Sequence, residues 1–481
     1  MKDRSSAIGP KDQRQGNDAA RTGQDDRVSR RLFAFLANSM WGHKMASDKT
    51  TGGQDLNAIL QRRDFLRLGG AAAAGAVAMG GGLSSAVFAA GALKPEVTGA
   101  KLGFIALTDA APLIIAKELG IFAKYGMADV VVAKQASWAA TRDNLVLGTA
   151  GGGIDGGHIL SPMPYLLTLG TIGKATPMSI LARLNVNGQA ISVEKAYLGA
   201  RADINAARMK PLIAQRKKAG RKITMAMTFP GGTHDLWIRY WLAAQGINPE
   251  SDVELITIPP PQMVANMKAN TMEAFCVGEP WNDQLVAQGL GYTAVSTGQL
   301  WMNHPEKAFA MRSDWVAAHP NAAIALTAAI IEAQRWCDAP ANNAKLAEII
   351  GGRDWLKVPV TDIQDRLLGN FTMGDGRVFK NAPFKMKFWA SNASFPYKSH
   401  DLWFLTEDQR WGKLPPTLDK KAVIAKVNRA DIWRKAALLA KVPAAQIPKT
   451  DSRGIERFFD GKVFDPANPA AYLASLTIKK A

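Results

Sequence analysis

Residues 223–245 read ITMAMTFPGGTHDLWIRYWLAAQ. Ile223 to Phe229 is a short strand, Pro230-Gly231-Gly232 turns the chain, and Thr233 offers a cap for a helix running to about Gln245. Two glycines between a strand and a helix let backbone approach a ligand, and the free N–H groups and helix dipole there favour an anion. An ordinary strand–helix turn with a Thr cap has the same pattern. Downstream, Val253 to Ile258 is a second strand, Pro259-Pro260-Pro261 breaks the chain, Gln262 to Lys268 makes a short helix, and Met272 to Val277 is a third strand. Upstream the alternation is the same. Lys101 to Leu107 is a strand, Asp109 offers a cap, Pro112 fits a first helical turn, and Leu113 to Phe122 approximates one helical face. Asp129 to Val132 is a strand, 139–148 a helix, the region of Ile154 a strand, 162–170 a helix, and Met178 to Leu184 a strand. Strand, helix, strand at these spacings predicts a mostly parallel α/β sheet, here in two units.

After about 290 the chain returns to a strand and then to long helices over 315–318, 321–339, 343–350 and 419–441, with a Pro-rich, irregular tail from 444. Residues 197–222 are polar and basic and read as a linker or excursion. The expected layout is an α/β protein of two lobes joined by crossing strands, with its ligand in the interlobe cleft. Residues 98–222 begin lobe 1, 223–290 form lobe 2, and 291–481 return to lobe 1 and end in the C-terminal helices and tail.

The 481 residues carry a net charge of +18, of which residues 91–481 contribute +13. A basic excess suits nucleic acid, an anionic membrane or a small anion. No Lys/Arg run of nucleic-acid length is present; the densest cluster, Lys210 to Lys222, reads as a solvated loop. The two cysteines, Cys276 and Cys337, form no CxxC pair, and Cys276 sits in the apolar run 274–277 as a small buried hydrophobe. No nucleophile–His–acid motif, P-loop, metal-ligand His pair or dinucleotide fingerprint occurs, so neither catalysis nor a cofactor is expected.

Residues 1–60 are polar, lack an apolar period, and read as a disordered leader or a start-site extension, with Met45 a reasonable start. Arg62-Arg63-Asp64-Phe65-Leu66 opens an export signal over 61–90: a mild Ala/Gly-rich run, Ala71 to Val87, ends at the small-residue pattern Val87-Phe88-Ala89. The paired arginines resemble the twin-arginine type, and the low hydrophobicity argues against a retained anchor. A second pair, Arg30-Arg31, has no such run behind it.

Two further stretches can hold a ligand. Val277-Gly278-Glu279-Pro280-Trp281-Asn282 is a shaped turn after a strand, and Ala136-Ser137-Trp138 brings an indole N–H, although most tryptophans are core residues. At these residues the sequence resembles the substrate-binding proteins of nitrate and bicarbonate ABC importers. The matching strings are GFIALTDAAP (103–112), Ala136-Ser-Trp138 with Arg142-Asp143, His158 to Pro164, Asn187 to Ile191, and Thr233-His234 with Arg239 to Ala243. They continue through IPPPQMVAN (258–266), CVGEPWN (276–282), HPEK (304–307) and FFDGK (458–462), so that the likeness spans about 98–478.

The resemblance implies a two-lobed periplasmic-binding-protein fold of type II that closes on one small anion and docks on a membrane permease. It implies a ligand shell of Trp138, Gln189, His234, Pro260, Val277 and Lys307, with Thr233 and Glu279 close by. Nitrate is singly charged and only accepts hydrogen bonds, so its site needs several donors and one compensating charge. In the implied shell Lys307 supplies the charge, Trp138 and Gln189 give neutral N–H groups, and His234 donates in either protonation state. Bicarbonate carries an O–H that needs an acceptor, and its site is expected to hold a carboxylate or calcium where Lys307 stands; Lys307 therefore favours nitrate. Glu279 could accept from bicarbonate if it faces the cleft, and cannot if it pairs with Lys307 or Arg239. A regulatory nitrate sensor of the same fold needs no export leader. The pyrimidine-synthesising proteins of thiamine biosynthesis, which resemble this fold, use a Cys- and His-rich cluster that two separated cysteines do not provide.

Overall fold

The computed structural model describes residues 94–480, so the expected leader and twin-arginine signal lie outside the described residues. Its main strands in chain order are β1 (Lys101–Phe104), β2 (Val131–Lys134), β3 (Gly156–Leu160), β4 (Met178–Arg183), β5 (Gln189–Glu194), β6 (Thr224–Met227), β7 (Glu254–Thr257), β8 (Ala274–Gly278), β9 (Gly291–Ser296) and β10 (Lys307–Arg312). They make two five-stranded sheets, β2-β1-β3-β10-β4 and β7-β6-β8-β5-β9. In the first, β1 runs parallel to β2 and β3 while β10 is antiparallel to β3 and β4. In the second, β6 runs parallel to β7 and β8 while β5 is antiparallel to β8 and β9. The central strands β3 and β8, and the edge strand β9, are buried along their whole length, as strands covered on both faces must be.

Each sheet thus contains one strand delivered from the other lobe. β5 crosses into the second sheet, and β10 crosses back into the first. Both crossing strands start at the carboxyl end of a central parallel strand: Gln189 pairs with Gly278 at the end of β8, and Lys307 pairs with Leu160 at the end of β3. That edge is where open α/β sheets hold ligands, because loops and free N–H groups gather there.

The second sheet draws its strands from 189–296, a wider stretch than the expected 223–290, since β5 and β9 pair at its edge. Residues 197–222 are an excursion of the second lobe, not a linker. The basic cluster expected as a loop is the helix Lys210–Lys218, with Ile213 turned inward. Its Arg216 lies 2.6 Å from Glu273 and also pairs with Glu194, which is why so basic a segment can fold back on the sheet.

The helix expected over 419–441 is two helices, Lys420–Val427 and Ala430–Leu439. Between them the Asn428 side chain donates to Asp401 (2.7 Å) and to the Pro396 carbonyl (2.8 Å), and the Arg429 N–H leaves the helical pattern for the Ile180 carbonyl (2.9 Å). Helix Lys398–Arg410, not anticipated from the sequence, carries Trp403, which stacks on Trp237 of helix Thr233–Ala244 with ring centres 5.1 Å apart. Trp301 and Phe458 close the same aromatic cluster. Asp401 of helix Lys398–Arg410 also pairs with Arg183 of β4, so this helix touches both lobes. Cys276 and Cys337 are free and buried. Among the described residues no helix is long and apolar enough to cross a membrane.

Candidate functional site

Lys307, first residue of β10, is wholly buried, and its Nζ lies 2.9 Å from both Asp109 Oδ2 and Glu306 Oε1. Asp109 was expected to cap the helix that follows it, but no side chain caps there. It is instead a hub: Oδ1 accepts from His158 Nε2 (2.6 Å), and Oδ2 accepts from Gln189 Nε2 (3.0 Å) and from Lys307. His158 lies inside β3, and its Nδ1 accepts the Ile105 N–H (3.4 Å), which leaves Nε2 to donate to Asp109. Trp138 opens helix Trp138–Leu147, whose Ser137 cap accepts the Ala140 N–H. The Trp138 ring centre is 5.9 Å from Lys307 Nζ, and its buried Nε1 has no partner.

The second lobe answers with neutral groups. Gln189 begins β5 and its Oε1 accepts from His234 Nε2, while Thr228 bonds His234 Nδ1. The result is a chain from Thr228 through His234 and Gln189 to Asp109. Thr233 does not cap its helix; Gly232 is the cap residue, and Thr233 donates to Glu306 Oε1. Trp237 Nε1 donates to Glu306 Oε2 at 2.8 Å. The glycine pair serves packing rather than the anion approach expected of it: the Gly231 N–H donates to Asp235 Oδ2 (2.8 Å) and the Gly232 N–H to the Phe229 carbonyl (3.0 Å). Gly231 adopts φ +75°, and a Cβ at Gly232 would fall 2.6 Å from Leu160 Cδ1 of the first lobe.

The lobes are closed on one another. Thr108 N–H donates to the Glu279 carbonyl (2.8 Å), Trp281 Nε1 donates to the Ala106 carbonyl (3.0 Å), and Lys413 pairs with Asp235 (3.1 Å).

Burial works against charge throughout this cluster, and its partners decide the outcome. Burial alone would raise the Asp109 carboxyl, yet Lys307 and His158 hold it well below the usual carboxylate range. Burial alone would lower Lys307, yet Asp109 and Glu306 raise it. Burial lowers His158, lowers His234 further with Lys307 adding to the effect, and takes His304 down to about 3. The three imidazoles are therefore neutral donors at neutral pH. Burial pushes Glu306 up, although Lys307, Thr233 and Trp237 all donate toward its carboxylate.

Of the residues implied by the resemblance, the structure brings together Trp138, Gln189, His234 and Lys307, with Thr233 beside them through Glu306. Val277 is buried in β8 and Pro260 is buried in the turn Pro260–Gln262 after β7, both near the carboxyl edge of the second sheet. Glu279 does not join the cluster. Its Oε1 accepts from Arg366 (2.6 Å), and Arg366 also donates to Asp283 (3.0 Å) and to Thr293 (3.0 Å). Its partner is neither Lys307 nor Arg239; the latter pairs with Asp235 and Glu250. Sequence reasoning missed Asp109, His158, Glu306 and Arg366 as members of these networks. Asp109, His158 and Glu306 stood inside the quoted strings, but an acid before a helix reads locally as a cap, and only tertiary contact shows a hub.

The chain matches the model of the NMT1-like family over residues 93–351. It is 56% identical over 438 residues to the nitrate/nitrite binding protein NrtA of Synechocystis sp., covering 87% of this chain and 97% of that protein. It is 46% identical over 404 residues to the bicarbonate-binding protein CmpA of Synechococcus elongatus, covering 82% and 90%. The crystal structure of the periplasmic nitrate-binding protein NrtA from Synechocystis superposes with a TM-score of 0.78 at 60% identity, covering 80% of this chain and all of that one.

Proposed function

The chain belongs to the NMT1-like family, and to the nitrate- and bicarbonate-binding receptors within it, and from that premise we propose that it is the extracytoplasmic nitrate receptor of an ABC importer. It binds one nitrate between the lobes, without catalysis, and presents the closed form to a membrane permease. The observation that carries this reading is a buried, unpartnered indole N–H on Trp138 beside the ammonium of Lys307. An ammonium has three donors and Lys307 spends two on carboxylates, so one remains for an anion.

Nitrate rather than bicarbonate is supported by two things. The identity is higher to the nitrate/nitrite binder than to the bicarbonate binder. The carboxylates that could accept a bicarbonate O–H are already occupied: Asp109 and Glu306 by the donors around Lys307, Glu279 by Arg366. Trp138, Lys307 and the second amide N–H of Gln189 are the proposed donors, with His234, whose one N–H is spent on Gln189, orienting that amide, and Val277 and Pro260 as wall. A crystal structure with nitrate tests this. Nitrate oxygens within hydrogen-bond reach of Lys307 Nζ and Trp138 Nε1 are expected; density at Arg366 instead refutes the assignment.

Export is proposed through the twin-arginine leader around Arg62-Arg63, whose cleavage leaves a periplasmic protein. A leader–reporter fusion should reach the periplasm, and Arg62→Lys with Arg63→Lys should hold it inside. Export of the doubly substituted fusion contradicts the pathway.

A further inference from the structure

The charge balance around Lys307 has a consequence for selectivity. Lys307, Asp109 and Glu306 are each 0% exposed, so one cation faces two carboxylates in a region closed to water. The nearest other groups do not restore a positive balance. His158 is held neutral by the N–H of Ile105 on its Nδ1, and burial lowers His234 and His304. Arg183, which feels the Glu306 charge, is matched by Asp401. An anion entering here finds no surplus cation. It is held by oriented N–H groups: the Trp138 indole, the third N–H of Lys307 and the second amide N–H of Gln189.

Attraction to dipoles grows in proportion to the ligand's charge, and so does repulsion from the two carboxylates. The cost of stripping water from an ion grows with the square of its charge. A monoanion can be bound on those terms; a dianion loses on the water term and gains nothing from a spare cation.

We propose that Asp109 and Glu306 are specificity-determining residues that act as a charge filter, admitting a monovalent oxyanion and rejecting divalent ones such as sulfate. The inference rests on the nitrate reading. It goes beyond that reading by giving the two carboxylates a task that holding Lys307 in place does not require.

The test is calorimetric titration of the mature protein with sodium nitrate and, separately, sodium sulfate at matched ionic strength. Wild type, Asp109→Asn and Glu306→Gln are compared. Both substitutions keep the side chain's shape and remove one negative charge. The expected result is that the ratio of nitrate to sulfate affinity falls by at least about tenfold in a variant, because a buried unit charge acts twice as strongly on a dianion. Loss of packing alone weakens both ligands together and leaves the ratio unchanged, so a ratio constant within about twofold in both variants overturns the proposal. A fall confined to one variant places the filter on that carboxylate. Glu306→Gln gives the readout by itself if Asp109→Asn does not fold. Wild type that binds no nitrate overturns the functional reading, whereas wild type that binds nitrate with an unmoved ratio overturns only the filter.

Discussion

Lys307 lies between Asp109 and Glu306; Arg366, on helix Thr361–Leu368, lies between Glu279 and Asp283. The Lys307 cluster is wholly buried and the Arg366 cluster is buried except for Asp283, 17% exposed, and both set one cation against two carboxylates. They differ in what remains unspent. The guanidinium is a planar fork, and Arg366 uses it on Glu279, Asp283 and Thr293. The ammonium is a compact point charge with a donor to spare, beside an indole N–H that bonds nothing. The first arrangement joins helix Thr361–Leu368 to the second lobe and is complete in itself. The second has donors waiting for a small acceptor. The same charge count thus serves as a clamp in one place and as a binding site in the other, and the choice of Lys or Arg separates them.

Mutation distinguishes the two clusters. Lys307→Ala should weaken nitrate binding about 1,000-fold, roughly 4 kcal/mol, because the charge-bearing donor is lost and two buried carboxylates are left facing the anion. Isothermal titration reads this. Glu279→Gln should cost about 3 kcal/mol of stability by leaving Arg366 short of a partner, yet leave nitrate affinity within about twofold. Chemical denaturation and titration on one preparation separate the two effects, and loss of nitrate binding in a folded Glu279→Gln protein merges the clusters. Trp138→Phe keeps the ring and removes only the N–H, so nitrate affinity should fall about tenfold, roughly 1.4 kcal/mol, with little change in melting temperature.

The smallest expected effect concerns a third acid. Asp408 is buried against Gly231 with neither oxygen bonded, and burial holds its carboxyl well above the usual range, with Asp235 and Glu407 adding to the rise and Lys413 opposing it. A carboxyl raised on folding binds more protons in the native than in the unfolded state. It therefore costs stability increasingly as pH climbs from about 4, the unfolded value, toward its folded one. Asp408→Asn should melt about 2–4 °C above wild type at pH 7, with the gap narrowing as pH falls to 4. A gap independent of pH excludes titration of Asp408 as the cause.

Much of the fold was legible because short apolar strands alternate with helices, a pattern that admits few architectures. Boundaries failed where tertiary pairing decides. Gln189–Glu194 (QAISVE) mixes polar and apolar residues and does not read as a strand, and nothing local tells that the chain has left the first sheet for the second. Helix Lys398–Arg410 was missed because it buries Asp401, Glu407 and Asp408 among aromatic residues and so shows no polar face. The site divides in the same way. Trp138, Gln189, His234 and Lys307 came from family strings and converge in space, whereas the partner of Glu279 lies 87 positions away on a helix with no motif.

The most direct test of the account is a calorimetric titration of the mature protein with nitrate, and in parallel with bicarbonate in the presence of calcium. One nitrate per chain at micromolar affinity or tighter is expected, weakened about 1,000-fold by Lys307→Ala. No heat with nitrate but clear, calcium-dependent heat with bicarbonate contradicts it.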